Sequence, residues 1–385
     1  MNLLRATRGE GPCPRQNRYC FKTSNQGEVA QMNLESKSFF PRRKLVQNVI
    51  FSLLPTVLLF GLSEGALRLL DFKYSETPLE VRSFAESVQS AKYGDEITRN
   101  RVSVIVKDEK QFWKPVESFE GHYPVQKAAG TLRIATLGCS CTQACSDTTD
   151  SYPSLMEKLL RVRTKKQVEV LNAGVGSYSS YQGLQRLKYA VTPYRPDIVT
   201  IYFGWNEHWM AYMPDHEIKL QPRWVVRLLN FAERFRTYQF LNSLSDKLAS
   251  RWTQQKGERL LGLRVPPENY SQNLTAIISH ARSHQMFPVL ITAPSDETQL
   301  KPFYNFPFPK EKLAAIHRDY NEIVRQVGAQ QNVPVIDLEK IIRQLMSHKD
   351  MPKIFSDGIH FTPFGCKLVA QVLSQQLIDA GIVNL

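Results

Sequence analysis

From Leu132 onward, short aliphatic and β-branched runs alternate with segments whose apolar residues recur at helical spacing. That rhythm predicts a parallel sheet covered by helices on both faces. The predicted strands are LRIATL (132–137), VEVLN (168–172), DIVTIYF (197–203), FPVLITA (287–293) and PVIDL (334–338). The segments YPSLMEKLLRV, YQGLQRLKYAV, YSQNLTAIISHARSH and PKEKLAAIHRDYNEIVRQV between them read as helices. Five strands in this order predict a flavodoxin-like three-layer α/β/α sandwich with a five-stranded parallel sheet. Such sheets bind their ligands at the C-terminal strand ends, near the point where strand order reverses.

The pattern is different at the front. Residues 45–63 read LVQNVIFSLLPTVLLFGLS, nineteen positions without a charge, close to the length that crosses the hydrocarbon of a bilayer. Arg42, Arg43 and Lys44 stand immediately before this run, and a basic cluster of that kind stays on the cytoplasmic side. The expected topology is N-in and C-out, a single-pass protein of the inner or plasma membrane with its main domain periplasmic or extracellular. No small-x-small cleavage site follows the run, which favours an uncleaved anchor over a signal peptide. The stretch before it has no apolar periodicity, and translation from Met32 would leave a short basic leader. The expected organisation is a basic leader at 1–44, a transmembrane helix at 45–63, a juxtamembrane connector at 64–130, and the main α/β domain at 131–385.

Within the last of these, residues 205–265 form a long insertion before the fourth strand. Its segment RWVVRLLNFAERFRTYQFLNSLSDKLASRW carries apolar residues at helical spacing. Such a stripe ordinarily faces a core; a lid, or contact with a membrane surface through the basic residues, is the alternative. Asn269 and Asn273 each head an N-x-S/T sequon, relevant only in a host that glycosylates exported proteins.

Charge alters this picture little. The net charge is +13, but residues 1–44 hold nine basic side chains against three acidic ones, so nearly half of the excess sits in the leader. There is no zinc-finger spacing, no aromatic RNA-binding signature and no continuous basic helix in the body, so nucleic acid is not an expected partner. Six cysteines without paired CxxC spacing are too few for a disulfide scaffold and predict no metal site. Cys139, Cys141 and Cys145 lie close together; they read either as small buried thiols or as partners in a local disulfide in an oxidising compartment.

The candidate chemistry lies at the strand ends. The first strand runs into Gly138-Cys139-Ser140-Cys141-Thr142 and the second into Asn172-Ala173-Gly174-Val175-Gly176-Ser177. The third runs into Gly204-Trp205-Asn206-Glu207, and Ser356-Asp357-Gly358-Ile359-His360 precedes the last helix. A serine hydroxyl is a poor nucleophile until an imidazole takes its proton, and His360 can supply that base. Asp357, three residues earlier, can accept the other imidazole N–H and fix the tautomer. Each residue alone has an ordinary reading: Ser140 as a turn serine, Asn206 as a turn-stabilising amide, Asp357 as a cap, His360 as a surface histidine. Cys141 is a rival nucleophile only if a base stands beside it. Trp205 and Trp209 either line a sugar or acyl pocket or simply pack.

The ordered set over residues 132–380 resembles blocks I, II, III and V of the SGNH (GDSL-like) hydrolase superfamily, here of a membrane-anchored bacterial type. The resemblance implies Ser140 as nucleophile, His360 as base and Asp357 as its partner. It also implies an oxyanion hole from the Ser140 backbone N–H, the Asn206 amide and the second block, where Gly176 or Ser177 takes the place of the family's glycine. Three positions depart from the pattern: Cys139 and Glu207 replace aspartates, and Ser177 aligns best with the block II glycine. A serine keeps the N–H, so donation survives if its backbone adopts the needed conformation.

The expected function is that of a serine esterase, without metal or organic cofactor, acting through an acyl-enzyme on an acyl or acetyl ester of a carbohydrate or lipid. The alternatives are an O-acyltransferase modifying envelope polysaccharide, in which a sugar hydroxyl replaces water, and a catalytically inactive module that binds glycan or assembles with partners. The expected partners are the small-molecule, glycan or lipid ester and the membrane held through the N-terminal helix.

Overall fold

The computed structural model describes residues 42–74, 105–115, 118–145, 151–211, 213–256, 262–301, 308–347 and 349–384. The leader up to residue 41 and the connector at 75–104 lie outside the described residues. The chain divides into two compact units, Met1–Leu58 and Leu59–Leu385. The described part of the first is the beginning of helix α1 (Arg42–Leu69), which contains Pro55. Its segment Phe51–Leu69 is long and apolar enough to cross a membrane.

In the second unit a hairpin of β1 (Ile105–Asp108) and β2 (Phe112–Pro115) precedes the central sheet. Chain order then runs β3 (Leu132–Gly138), α2 (Ser140–Gln143), α3 (Tyr152–Thr164), β4 (Val168–Gly174), α4 (Ser180–Arg186) and β5 (Ile198–Tyr202). The insertion follows as β6 (Met210–Ala211), α5 (Arg223–Ala232), α6 (Arg236–Lys256) and β7 (Gly262–Leu263), with β6 and β7 paired antiparallel. The fold closes with α7 (Pro267–Ser283), β8 (Phe287–Ile291), α8 (Lys310–Gln331), β9 (Val335–Ile336), α9 (Leu338–Leu345), α10 (Met351–Ile354) and α11 (Pro363–Asp379).

The five strands β4-β3-β5-β8-β9 lie side by side in that order, all parallel, as expected of a doubly wound sheet. Alternate residues feed opposite layers because successive strand side chains point to opposite faces. Ile134 of β3 and Ile198 and Tyr202 of β5 join one core with α3 and α11, whereas Ala135, Leu137, Val199 and Ile201 join the other with α4 and α7. The predicted fifth strand is shortened at its end because Asp337 caps α9, its carboxylate accepting the Lys340 N–H at 3.3 Å.

Part of the predicted connector belongs to this body. Trp113 and Phe119 are buried in the second core, and the Arg133 guanidinium, fully buried in β3, donates to Pro124 O and Val125 O and pairs with Glu169 at 2.6 Å. Order reversal places β3 between β4 and β5, so the crevice beyond the C-terminal ends of β3 and β5 is where chemistry is expected.

Candidate active site

Ser140 opens the four-residue helix α2 directly after β3. Cys139 caps it in an extended conformation, and its carbonyl accepts the N–H groups of Thr142 and Gln143 at 3.0 Å each. The turn can sit this tightly on the sheet only with glycine at 138: a Cβ there would meet Thr142 Oγ1 at 2.1 Å and Tyr202 O at 2.9 Å. The strand end therefore presents Ser140 to the crevice.

His360 comes from the loop between α10 and α11. Its Nε2 lies 2.9 Å from Ser140 Oγ, and its Nδ1 lies 2.7 Å from Asp357 Oδ2. The other carboxylate oxygen, Oδ1, accepts the backbone N–H groups of Ile359 (2.9 Å) and His360 (2.8 Å). Asp357 thus shapes the loop and orients the ring at once. Gly358 sits at φ +88°, and a Cβ there would press on Asp296 O at 2.8 Å, so this bend requires glycine.

The electrostatics follow from these contacts. Burial works against the charge on Asp357, but the imidazole and the hydrogen bonds outweigh it and lower the pKa to about 2. Burial also disfavours the imidazolium, yet the Asp357 carboxylate prevails and raises His360 above its ordinary value. The pair is a charged acceptor and a strengthened base, the arrangement that draws a proton from a hydroxyl at Nε2.

The second block packs against the Ser140 turn through Gln143. Its Oε1 accepts the Gly176 N–H at 2.6 Å, and its carbonyl accepts the Asn172 amide at 2.9 Å. Gly176 N–H is therefore engaged. Ser177 adopts φ +63° in the turn closed by Tyr178 N–H to Val175 O (3.1 Å). That left-handed conformation costs glycine little, and the serine adopts it while keeping its N–H. The Asn206 amide donates to Tyr178 O at 2.8 Å, which joins the third block to the second and uses one of its two hydrogens.

Arg264, at the end of the insertion, escaped the sequence analysis. It is 1% exposed, donates to Ser177 O at 2.6 Å through Nη1, and pairs through Nε with the buried Asp215 at 2.8 Å. Asp215 also accepts from Ser179 Oγ at 2.6 Å. The insertion thus clamps the turn that carries Ser177. The only advance signal was an arginine in the apolar GLRVPP segment, which by itself does not name its partner.

The departures at 139 and 207 have physical accounts. The Glu207 carboxylate accepts the Ser180 N–H at 2.6 Å and the Gly204 N–H at 2.9 Å, bridging α4 to the end of β5, and burial pushes its pKa up to about 7. Cys139 and Cys141 are buried free thiols. The neighbouring Cys139 thiol, together with burial, holds the Cys141 thiol well above its ordinary range. Cys141 Sγ donates to Ile359 O at 3.6 Å, so it braces the histidine loop and is not a thiolate.

Cys145 and Cys366 form a disulfide with Cα atoms 6.2 Å apart, joining the segment after α2 to the first turn of α11. It spans 221 residues and ties the Ser140 side of the crevice to the His360 side. Trp205 and Trp209 are buried, Trp205 stacked on His317 at 3.6 Å, so both pack.

A five-stranded α/β/α sandwich with a serine, a histidine and an aspartate meeting at its C-terminal strand ends defines a hydrolase class. The model of the GDSL-like Lipase/Acylhydrolase family matches residues 136–368. The chain belongs to that family and is an ester-hydrolysing enzyme of the SGNH type. Similar solved structures include a lipase/acylhydrolase from Enterococcus faecalis, at 20% identity over 64% of this chain and 94% of that one, with a TM-score of 0.43. An acetyl xylan esterase, AlAXEase, matches at 18% identity over 64% of this chain and 100% of that one, with a TM-score of 0.42. A mutant acetyl-xylooligosaccharide esterase from Geobacillus Stearmophilus matches at 15% identity over 64% and 93%, with a TM-score of 0.43. Among curated proteins none matches the chain.

Proposed function

We propose that the chain is a serine esterase with Ser140 as nucleophile, His360 as general base and acid, and Asp357 as the group that orients His360. The observation that carries this reading is the continuous line Ser140 Oγ, His360 Nε2 (2.9 Å), His360 Nδ1, Asp357 Oδ2 (2.7 Å). Ser140 Oγ attacks the ester carbonyl carbon while its proton passes to Nε2. The tetrahedral intermediate then expels the alcohol, which takes that proton, and leaves an acyl-enzyme. Water repeats the sequence in reverse and releases the carboxylic acid. The oxyanion is held by the backbone N–H groups of Ser140 and Ser177 and the second amide hydrogen of Asn206; each such donor contributes about 10²-fold or more in turnover. Gly176 has the supporting part, because Gln143 holds its N–H.

The substrate is an acyl or acetyl ester of a carbohydrate or lipid. The leader at 1–44, the span at 45–63 and the connector at 64–130 anchor the catalytic domain on the far side of the inner or plasma membrane. The Cys145–Cys366 disulfide supports that placement, since such bonds persist in oxidising compartments.

The test is labelling of the full chain with a fluorophosphonate probe, beside Ser140→Ala and His360→Ala. Labelling lost in both variants and mapped by mass spectrometry to Ser140 is the expected result. An unlabelled but folded full chain would refute the serine mechanism and leave a binding module. Acyl transfer would show as ester formed on a sugar when that sugar acceptor is added to the unlabelled enzyme together with an acyl donor such as p-nitrophenyl acetate, which acylates Ser140 and releases p-nitrophenol.

A further inference from the structure

We infer that the two insertion helices α5 and α6 lie on the bilayer, their outward apolar stripes seated among anionic lipid headgroups. The inference rests on the proposed reading of α1 as a membrane anchor and extends it to a second, peripheral contact.

In α5 the exposed apolar residues Trp224, Leu228 and Phe231 (69%, 57% and 54% exposed) are spaced four and three apart, which puts them on one strip of the helix. Val226, the buried residue of α5, projects from the opposite side, and Asn230 is held there by Lys107 O at 2.9 Å. The body of the enzyme therefore covers the face away from the stripe. The same division holds in α6: Leu241, Leu244 and Leu248 are 56%, 45% and 51% exposed on one strip, whereas Gln239 and Ser243 are buried on the other. Six large apolar side chains on two consecutive helices are thus turned to the outside, where scattered single residues would be unremarkable.

What covers them is indicated by where the corner between the helices is fastened. Phe235 packs on Phe60 with ring centroids 5.5 Å apart. Thr237 donates from both its backbone N–H (2.9 Å) and its hydroxyl (3.1 Å) to Glu64 Oε2, and Arg68 donates to Arg234 O at 3.3 Å. The uncharged run of α1 ends at Ser63 and is followed by Glu64 and Arg68, the level at which an anchor leaves the hydrocarbon. The corner of α5 and α6 is consequently tied at headgroup depth. Arg227, exposed on one flank of the α5 stripe beside Arg223, which pairs with Glu109 at 3.5 Å, supplies the cationic edge that an interfacial helix presents to anionic lipid.

The experiment uses the full chain reconstituted in vesicles of phosphatidylethanolamine and phosphatidylglycerol. The photoreactive p-benzoylphenylalanine replaces Leu228, Phe231 or Leu244 singly, with Val57 in α1 and the exposed Val162 in α3 as references. The expected result is lipid adducts by mass spectrometry at 228, 231, 244 and 57 and none at 162. Exchanging phosphatidylglycerol for phosphatidylcholine should lower the yield at 228 and 231 several-fold and leave 57 unchanged. Adducts at 57 alone would overturn the inference while the anchor stands. Crosslinks from 228, 231 or 244 to a second copy of the chain would overturn it in favour of self-association. Absence of adducts at 57 as well would remove the anchor reading and this inference with it, whereas the esterase reading is tested separately by probe labelling.

Discussion

Replacing Asp357 by asparagine removes one charge and reverses the polarity of the hydrogen bond to His360. Asp357 Oδ1 is held by two backbone N–H groups, at 2.9 and 2.8 Å, so the amide oxygen of asparagine takes that place and its NH2 group faces Nδ1. Nδ1 must then accept, which puts the ring proton on Nε2, the atom 2.9 Å from Ser140 Oγ. A donor now points at the hydroxyl that needs an acceptor. The same substitution in a serine protease triad costs about 10⁴-fold in kcat, equivalent to about 5 kcal/mol of transition-state stabilisation. A loss of that order is expected here in the steady-state hydrolysis of p-nitrophenyl acetate, with the fold checked by circular dichroism.

The pH profile supplies a second reading of the same variant. His360 must be neutral to accept the serine proton, so parent activity falls as pH drops through its pKa, which the Asp357 carboxylate raises. Without the carboxylate that raising influence disappears, and the acid limb of kcat/KM moves to lower pH. A folded Asp357→Asn enzyme that keeps kcat within about tenfold of the parent, with its acid limb unmoved, would refute the assignment of Asp357.

Two further perturbations separate stability from positioning. Arg264→Met leaves Asp215 buried without its ion-pair partner and should destabilise the fold by about 3–5 kcal/mol in urea unfolding. Arg264→Met combined with Asp215→Leu should recover much of that stability yet keep a kcat about 10²-fold low, because Ser177 O is no longer held; full activity in the pair would exclude the clamp. Cys145→Ser with Cys366→Ser should lower stability by about 5 kcal/mol, since the bond closes a long loop in the unfolded chain, and should retain kcat below the unfolding transition. A loss of Ser140 labelling in a folded disulfide-free enzyme would show instead that the bond aligns the two loops.

Legibility in the sequence differed between short-range and long-range features. Strand and helix periodicity depends on neighbours in the chain, and the predicted 132–137 and 168–172 runs appear as β3 and β4, each carried only to its terminal glycine. Ser140 and the Asp357/His360 pair were visible because each stands in a short motif at an element boundary. The departures at 177 and 207 were visible as residue types but not as geometry. That Ser177 takes φ +63°, and that Glu207 spans Ser180 and Gly204, depends on backbone positions fixed by the sheet.

The sequence by itself determined the doubly wound class, the apolar N-terminal run and the order of the strand-end motifs, because these follow from periodicity, segment length and local turn chemistry. Only the tertiary structure decided which cysteines pair, with Cys145 reaching Cys366 across 221 residues while Cys139 and Cys141 stay reduced. It alone also decided that Arg264 holds the Ser177 carbonyl, that Gln143 takes the Gly176 N–H, and that the stripes of α5 and α6 face outward. The physical reason is common to these cases: each depends on the separation and direction of groups that the sheet brings together from distant parts of the chain, and neither quantity is encoded in the spacing of residues along it.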